Sequence, residues 1–309
     1  MKNPLFYAKI LLFGEYGIIE NSRGLTLPYS FYKGSLKFED KDTKTAKNSN
    51  YSLLQFYYYL VKLEIPEKFK LNLLQLKQDI DAGMYFDSDI PQGYGIGSSG
   101  ALVAAIFDQY AINKFSPESI KKNEISLLKE FFGKMESCFH GKSSGIDPLI
   151  CYMNIPLLIQ SKDSIDKIGF PVENLNGKGA IFLINSEEVG ETGPMVQIFF
   201  EKLKNKGFRK TLKEEFIKYN DACIESFINK DFSPFFENLK DLSTWAFIHF
   251  KPMIPKRFLK VWEYGIQSNA YYLKLCGSGG GGYILGFTAD YSLAENILKD
   301  YKKEVIYRF

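Results

Sequence analysis

Two glycine clusters constrain this chain more than any other feature. The first is Pro91-Gln-Gly-Tyr-Gly-Ile-Gly-Ser-Ser-Gly-Ala101, with glycines at 93, 95, 97 and 100. The second is Lys274-Leu-Cys-Gly-Ser-Gly-Gly-Gly-Gly-Tyr283. Glycine loses more backbone freedom on folding than any other residue. Such clusters therefore belong where the chain must turn left-handed or approach something closely. The first cluster feeds Ala101–Ala111, a strongly helical stretch. A glycine turn at a helix N-terminus is a ready anion site, because its N–H groups and the helix dipole favour negative charge. Ser98 and Ser99 add hydroxyls for a phosphate or a metal ion. The blander reading is a glycine turn that merely caps a helix; four glycines and two serines favour phosphate. The apolar Tyr283–Phe287 after the second cluster argues against a linker there.

Literal motif matches add little. Gly95, Gly97 and Gly100 satisfy G-x-G-x-x-G, but so do Gly277, Gly279 and Gly282. A dinucleotide-binding unit would also need a chain-initial βαβ and an acid about 20 residues on. Gly141-Lys142-Ser143 has the tail of a P-loop, but Glu136 stands where its first glycine belongs. With only two histidines, His140 and His249, zinc sites of the HExxH, three-His and Cys2His2 kinds are excluded. No G-x-S-x-G elbow accompanies either histidine. Chemistry must come mainly from carboxylates, lysines, hydroxyls and glycine-shaped backbone.

At 309 residues the chain suggests about two domains of roughly 150 residues each, with one large domain as the alternative. A 45% hydrophobic content supplies a sizeable core. The net charge of +3 is too small to argue for nucleic acid or an anionic membrane as partner. The longest apolar run, Pro148–Ile159, holds two prolines and is too short to span a bilayer. The opening residues show no secretory pattern. Cys138, Cys151, Cys223 and Cys276 have no CxxC spacing, so a reduced, cytoplasmic protein is expected.

Periodicity predicts a strand at Ala8–Phe13, an exposed loop at 40–50, a helix at Leu53–Leu63 and a strand at Lys70–Leu76. A helix over Glu124–Phe139 carries the stripe Ile125, Leu128, Phe132, Met135 and Phe139. Short strands are expected after Asp147, then a loop over 163–179 and a buried strand at Ala180–Ile184. Helices follow at Pro194–Lys204, Leu212–Ile228 and Phe232–Trp245. The chain ends with a strand at Tyr283–Phe287, a helix at Ala294–Tyr301 and a strand at Val305–Tyr307.

Glu136-Ser-Cys-Phe-His-Gly-Lys-Ser-Ser-Gly-Ile-Asp147 is the second chemical motif. Glu136 sits at the edge of its helix's apolar stripe, and Asp147 stands in an apolar segment. Half-buried carboxylates are disfavoured unless paired or metal-bound. The pair could serve a metal ion and a base; equally, it could be a helix-edge Glu and a turn-forming Asp. Lys9, alone in an apolar strand, reads best as facing solvent. Phe56–Tyr59 reads as packing, Lys202–Lys213 as a solvated face, and His140 as a satisfied loop histidine.

In this order the motifs resemble those of the GHMP small-molecule kinases. Ala8-Lys-Ile-Leu-Leu-Phe-Gly-Glu-Tyr16 is similar to the family's first motif, Pro91–Ala101 to its phosphate loop and Lys274–Gly282 to its third motif. The second motif is most like that of mevalonate kinases, whose metal-binding Glu stands eleven residues before the Asp of His-Gly-x-x-Ser-Gly-x-Asp. Glu136, His140, Gly141, Ser144, Gly145 and Asp147 match that pattern.

The resemblance implies an α+β two-domain GHMP kinase fold. An N-terminal domain over 1–160, like domain 2 of ribosomal protein S5, would precede a ferredoxin-like domain over 161–309, with ATP and substrate between them. Asp147 would be the catalytic base, and Lys9 would sit beside it and stabilise phosphoryl charge. Gly93, Gly95, Gly97, Ser98, Ser99 and Gly100, with Gly279 and Gly280, would contact ATP. Ser99 and Glu136 would hold Mg²⁺. The partner would be a small alcohol such as mevalonate; a homodimer is left open. Gly14-Glu15-Tyr16 is more like bacterial phosphomevalonate kinases, so phosphomevalonate is the near alternative and a silent ligand-binding relative the distant one. Tyr16 and the Glu187–Met195 loop are candidates for reading the substrate's far end.

Overall fold

The computed structural model describes residues 4–38, 43–113, 115–117, 119–161 and 164–309, apart from the side chain of His140. The exposed loop expected from residue 40, the start of the loop expected from 163, and the reading of His140 lie partly or wholly outside them. The chain divides into two compact units. The first comprises residues up to Lys9, Leu27–Pro91 and Gly97–Ile155. The second comprises Ile10–Thr26, Gln92–Ile96 and Pro156–Phe309.

Strands β1 (Phe6–Phe13) and β2 (Gly24–Phe38) contribute residues to both units. In the first unit, Gly34–Phe38 of β2 pairs antiparallel with β3 (Met84–Ser88). Helix α1 (Lys44–Val61) begins inside the stretch expected as loop, because the Thr43 side chain accepts from the Ala46 N–H and caps it. Helix α2 (Leu73–Asp81) replaces the expected strand at 70–76. Asn72 caps it through Gln75 N–H, and Leu76 and Ile80 bury one face four residues apart. Only Leu71 keeps a bridge, to Ala111.

Helices α3 (Ser98–Tyr110) and α4 (Lys122–His140) lie where the periodicity puts them. The segment after Asp147 differs from expectation. It begins as helix α5 (Ile146–Met153), every residue of which except Asp147 is buried. A short continuous apolar run cannot be told from a strand by periodicity. Pro148 sits in the first turn, where the missing N–H costs nothing.

The second unit pairs Gly24–Thr26 of β2 with β4 (Leu157–Ser161), which pairs with β5 (Ser164–Lys167). Its main sheet is antiparallel, with order β7-β8-β6-β9. These strands are β6 (Ala180–Asn185), β7 (Tyr272–Leu275), β8 (Tyr283–Thr288) and β9 (Lys303–Arg308). The accompanying helices are α6 (Thr192–Leu203), α7 (Lys206–Thr211), α8 (Ile217–Ile228), α9 (Phe232–His249), α10 (Leu259–Ser268) and α11 (Tyr291–Ile297). A π-helical turn at Leu212–Phe216 joins α7 to α8. Neither α10 nor β7 stands out in the sequence. Trp262 fixes α10, its indole N–H donating to Ser243 Oγ at 2.9 Å inside the core.

Gly286 of β8 stands opposite Phe182 of β6, whose ring covers it. A Cβ there would lie 2.4 Å from that buried ring. Gly286→Ala should therefore cost about 1–3 kcal/mol, the scale of core overpacking, read as a lower urea midpoint. An unchanged midpoint would mean the Phe182 ring can move aside freely.

Candidate active site

In the first unit, four elements bring charged and hydroxyl side chains together. β1 carries Lys9, α3 carries Ser99, α4 carries Glu136 and α5 carries Asp147. Lys9 is 2% exposed, so the solvent-facing reading of this lysine fails. Its Nζ lies 2.9 Å from Asp147 Oδ1. The strand is apolar around it because the lysine points into the protein, where the carboxylate meets it. The Asp147 side chain keeps 35% of its surface exposed, which leaves one side accessible to a ligand.

Glycines make this meeting possible. α3 and α5 are each entered through a left-handed glycine, Gly97 (φ 83°) and Gly145 (φ 75°), which itself offers no side-chain cap. At α5 the Ile146 N–H donates to Ser144 Oγ at 3.4 Å and Pro148 has no N–H, so the start of α3 is the one of the two that suits an anion. A Cβ on Gly97 would lie 2.8 Å from Lys9 Cγ, and one on Gly100 would lie 2.8 Å from the Asp147 carbonyl carbon. Gly145 presses on α4, where a Cβ would fall 1.9 Å from Lys129 O.

Glu136 is 4% exposed. Its Oε1 accepts from Ser99 Oγ at 2.8 Å and its Oε2 accepts from Ser143 Oγ. Burial, then the neighbouring Asp147 charge, pushes the carboxyl up to about 7. The two serine hydrogen bonds and the Lys9 charge partly oppose that. Cys151 lies beneath, its thiol 3.8 Å from Gly97 O. Burial pushes that thiol far up, so it is no nucleophile.

Sequence reasoning did not single out Ser143 or Gly133. Gly133 lies inside α4, and a Cβ on it would come 3.0 Å from Ser143 O. Its signal was available: a glycine within a helix is unfavourable and marks a close approach.

Gly93 and Gly95 belong to the second unit, where three loops pack backbone against backbone. A Cβ on Gly95 would lie 2.4 Å from Cys276 O, and one on Gly282 2.5 Å from Tyr94 Cα. Gly190 N–H donates to Gly93 O at 3.0 Å, and Gly282 N–H to Glu188 O at 2.7 Å. Gly280 N–H donates to Met253 O at 2.7 Å, so that donor is committed. A Cβ on Gly279 would come 2.7 Å from the same carbonyl. Tyr16 braces this assembly. Its ring packs between Phe199 and Phe250, and its hydroxyl donates to Ser278 O at 2.6 Å. That buried role replaces the reading of Tyr16 as a substrate sensor. Glu15 pairs with Lys274 in the core of the same unit.

Among the described residues no three His, Cys, Asp or Glu side chains gather as a metal cage. A carboxylate with a serine hydroxyl still fits Mg²⁺, which is commonly held by one or two carboxylates together with substrate phosphates and waters.

Residues 61–154 match the family model "GHMP kinases N terminal domain". That domain contains Ser99, Glu136 and Asp147. The whole chain has the fold of the GHMP kinases. L. major mevalonate kinase in complex with R-mevalonate has TM-score 0.64 and 14% identity, covering 97% of this chain and 90% of that one. Streptococcus pneumoniae phosphomevalonate kinase in complex with phosphomevalonate and AMPPNP gives 0.64 at 14% identity, covering 99% and 100%. Lactococcus lactis galactokinase complexed with galactose gives 0.62 at 10% identity, covering 98% and 92%. No curated protein sequence matches the chain significantly. Among the described residues of this GHMP kinase fold, no helix is long and apolar enough to cross a membrane.

The Glu136 environment makes a pH prediction. Its folded-state pKa stands above the ordinary value of 4.5, so the fold prefers the protonated acid. The stability it contributes is complete below about pH 4.5 and lost as the pH rises through about 7. In EDTA, the melting temperature should fall across that window, and less steeply in Glu136→Gln. Parallel pH profiles for the two proteins would show that Glu136 is not the titrating group.

Proposed function

We propose that this chain is an ATP- and Mg²⁺-dependent kinase that phosphorylates the hydroxyl of a small molecule, with mevalonate as acceptor. The observation that carries the reading is the Lys9–Asp147 pair, partly open at Asp147, together with the glycine-entered start of α3 and the Ser99–Glu136 pair. Phosphoryl transfer asks a protein mainly for positioning and charge neutralisation. Each part of this cluster suits one of those tasks, and none needs a histidine.

Asp147 accepts the proton of the acceptor hydroxyl as the alcohol oxygen bonds to the γ-phosphorus of ATP and the bond from that phosphorus to the β–γ bridging oxygen breaks, releasing ADP. Lys9 holds that carboxylate in place and sets a fixed positive charge where transferred negative charge accumulates. The backbone of Gly97 and Gly100, with Ser98 and Ser99, lines the start of α3 and receives phosphate oxygens. Ser99 and Glu136 would hold Mg²⁺, which would neutralise phosphate charge when bound. Gly93, Gly95 and Gly279 are assigned to the nucleotide by the motif resemblance. Gly280 would contribute only through close approach, since its N–H is taken.

Mevalonate is favoured by the second motif, whose Glu-to-Asp spacing resembles that of mevalonate kinases. Phosphomevalonate is the second reading, because Tyr16 follows Gly14-Glu15 as in bacterial phosphomevalonate kinases. Reduced thiols suit a cytoplasmic enzyme, and none of the four cysteines is in a disulfide.

An ADP-release assay with mevalonate, phosphomevalonate, homoserine and galactose in parallel tests the reading. Turnover is expected with mevalonate. Asp147→Asn should lower kcat by about 10²–10⁴, the scale of losing a general base, with nucleotide binding nearly unchanged. Undiminished turnover in that variant would remove Asp147 from the mechanism. Turnover with another acceptor would move the substrate. No turnover together with no nucleotide binding would end the kinase reading.

A further inference from the structure

The pattern His-Gly-x-x-Ser-Gly-x-Asp leaves three positions open, and Ser143 occupies the second. Its hydroxyl is nevertheless built into the site. Ser143 Oγ donates to Glu136 Oε2 and accepts from Gly145 N–H at 3.0 Å. Gly145 is the residue through which α5 is entered, two residues before Asp147. Ser143 N–H donates to Ser137 Oγ at 3.3 Å, and Ser137 Oγ donates to Gly133 O at 2.7 Å, so the loop is moored on α4. A Cβ on Gly133 would come 3.0 Å from Ser143 O, so the glycine lets the loop lie against the helix.

One hydroxyl therefore joins the carboxylate assigned to the metal and the turn that delivers the base. Glu136 has two oxygens in a nearly dry site. Ser99 takes one and Ser143 the other. A buried carboxylate oxygen without a partner carries its full desolvation penalty. A carboxylate held at one oxygen only is also free to rotate about its last bond. Partners that orient a ligand in this way are typically worth 10–100-fold in metal affinity.

We propose that Ser143 is a positioning residue for metal-dependent nucleotide binding: it fixes the orientation of Glu136 and ties it to the turn that presents Asp147. The inference rests on the kinase reading above, and its test separates the two. Calorimetry with AMPPNP, with and without MgCl₂, gives the factor by which Mg²⁺ tightens nucleotide binding. In the unaltered protein that factor should be well above one. Ser143→Ala should reduce it by about 10-fold or more, the lower end of the range for such partners, and leave metal-free AMPPNP binding close to that of the unaltered protein. Ser143→Thr keeps the hydroxyl and should restore most of the factor.

An Ala variant with the same Mg²⁺ factor as the unaltered protein overturns the proposal and leaves the kinase reading standing. So does a Thr variant as impaired as a folded Ala variant, because the hydroxyl would then not be the cause. If Ser143→Ala does not fold, the Thr variant decides alone: an unaltered Mg²⁺ factor supports the proposal and a lost one overturns it. Absence of any AMPPNP binding by the unaltered protein overturns the kinase reading and this inference with it.

Discussion

A lysine buried in a β-strand must be answered by an anion, and the first unit is arranged around that requirement. Taking a charge out of water costs several kcal/mol, and even a good ion pair does little better than break even against an apolar substitute. The Lys9–Asp147 pair is thus a poor way to stabilise a fold. It is a good way to hold a carboxylate at a defined place with one side open. Three glycines serve the same end. Gly97 leaves room for the lysine stem, Gly100 lets α3 approach the backbone of α5 at Asp147, and Gly145 lets the turn before α5 lie on α4. Any side chain at these positions would push apart groups that the pair needs close.

The glycine clusters therefore do two physically different things. In the first unit they clear space for a polar cluster and shape the entries to α3 and α5. In the second they let loops pack main chain to main chain, with Gly95 against Cys276–Gly277 and Gly190 against Gly93. The four consecutive glycines at 279–282 do imply close approach, as their entropy cost suggests. What the structure shows approaching them is other parts of the protein: backbone at Met253, Glu188 and Gly190, and the Met195 side chain at Gly280. Tyr16 belongs to this scaffold, although its place in the first motif makes it look like a ligand contact. A tyrosine buried between two phenylalanines needs a partner for its hydroxyl, and Ser278 O supplies it.

Much of the architecture was legible because long amphipathic or buried runs dominate it: α3, α4, β6, β8 and α9 follow from periodicity and glycine punctuation. The misreadings share a cause. α2 and α5 are short, and their apolar residues are too few or too continuous to show a helical period. Their identity is set by Asn72 at one start and by Gly145 at the other. The site was half legible. Spacing could pair Glu136 with Asp147 but could not say whether they were buried. Lys9 looked solvent-facing because its partner lies far away in sequence. Ser143 gave no signal, since a serine in a loop is unremarkable until the geometry shows what it holds.

The electrostatics of the cluster give the two acids different characters. Glu136 and Asp147 share Lys9, which lies 2.9 Å from Asp147 and acts on Glu136 only as the smallest of its influences. Glu136 is left with burial and a like charge acting against ionisation, and serine hydroxyls alone do not reverse them. A carboxylate in that state is poised to gain from an added cation, because a cation at its oxygens removes both penalties at once. Asp147 already has its cation and an open side, which suits a group that must exchange a proton with a ligand. One burial gradient, running from the exposed side of Asp147 to the nearly dry Glu136, thus gives two carboxylates that differ by one methylene the different surroundings that the proposed base and the proposed metal ligand each call for.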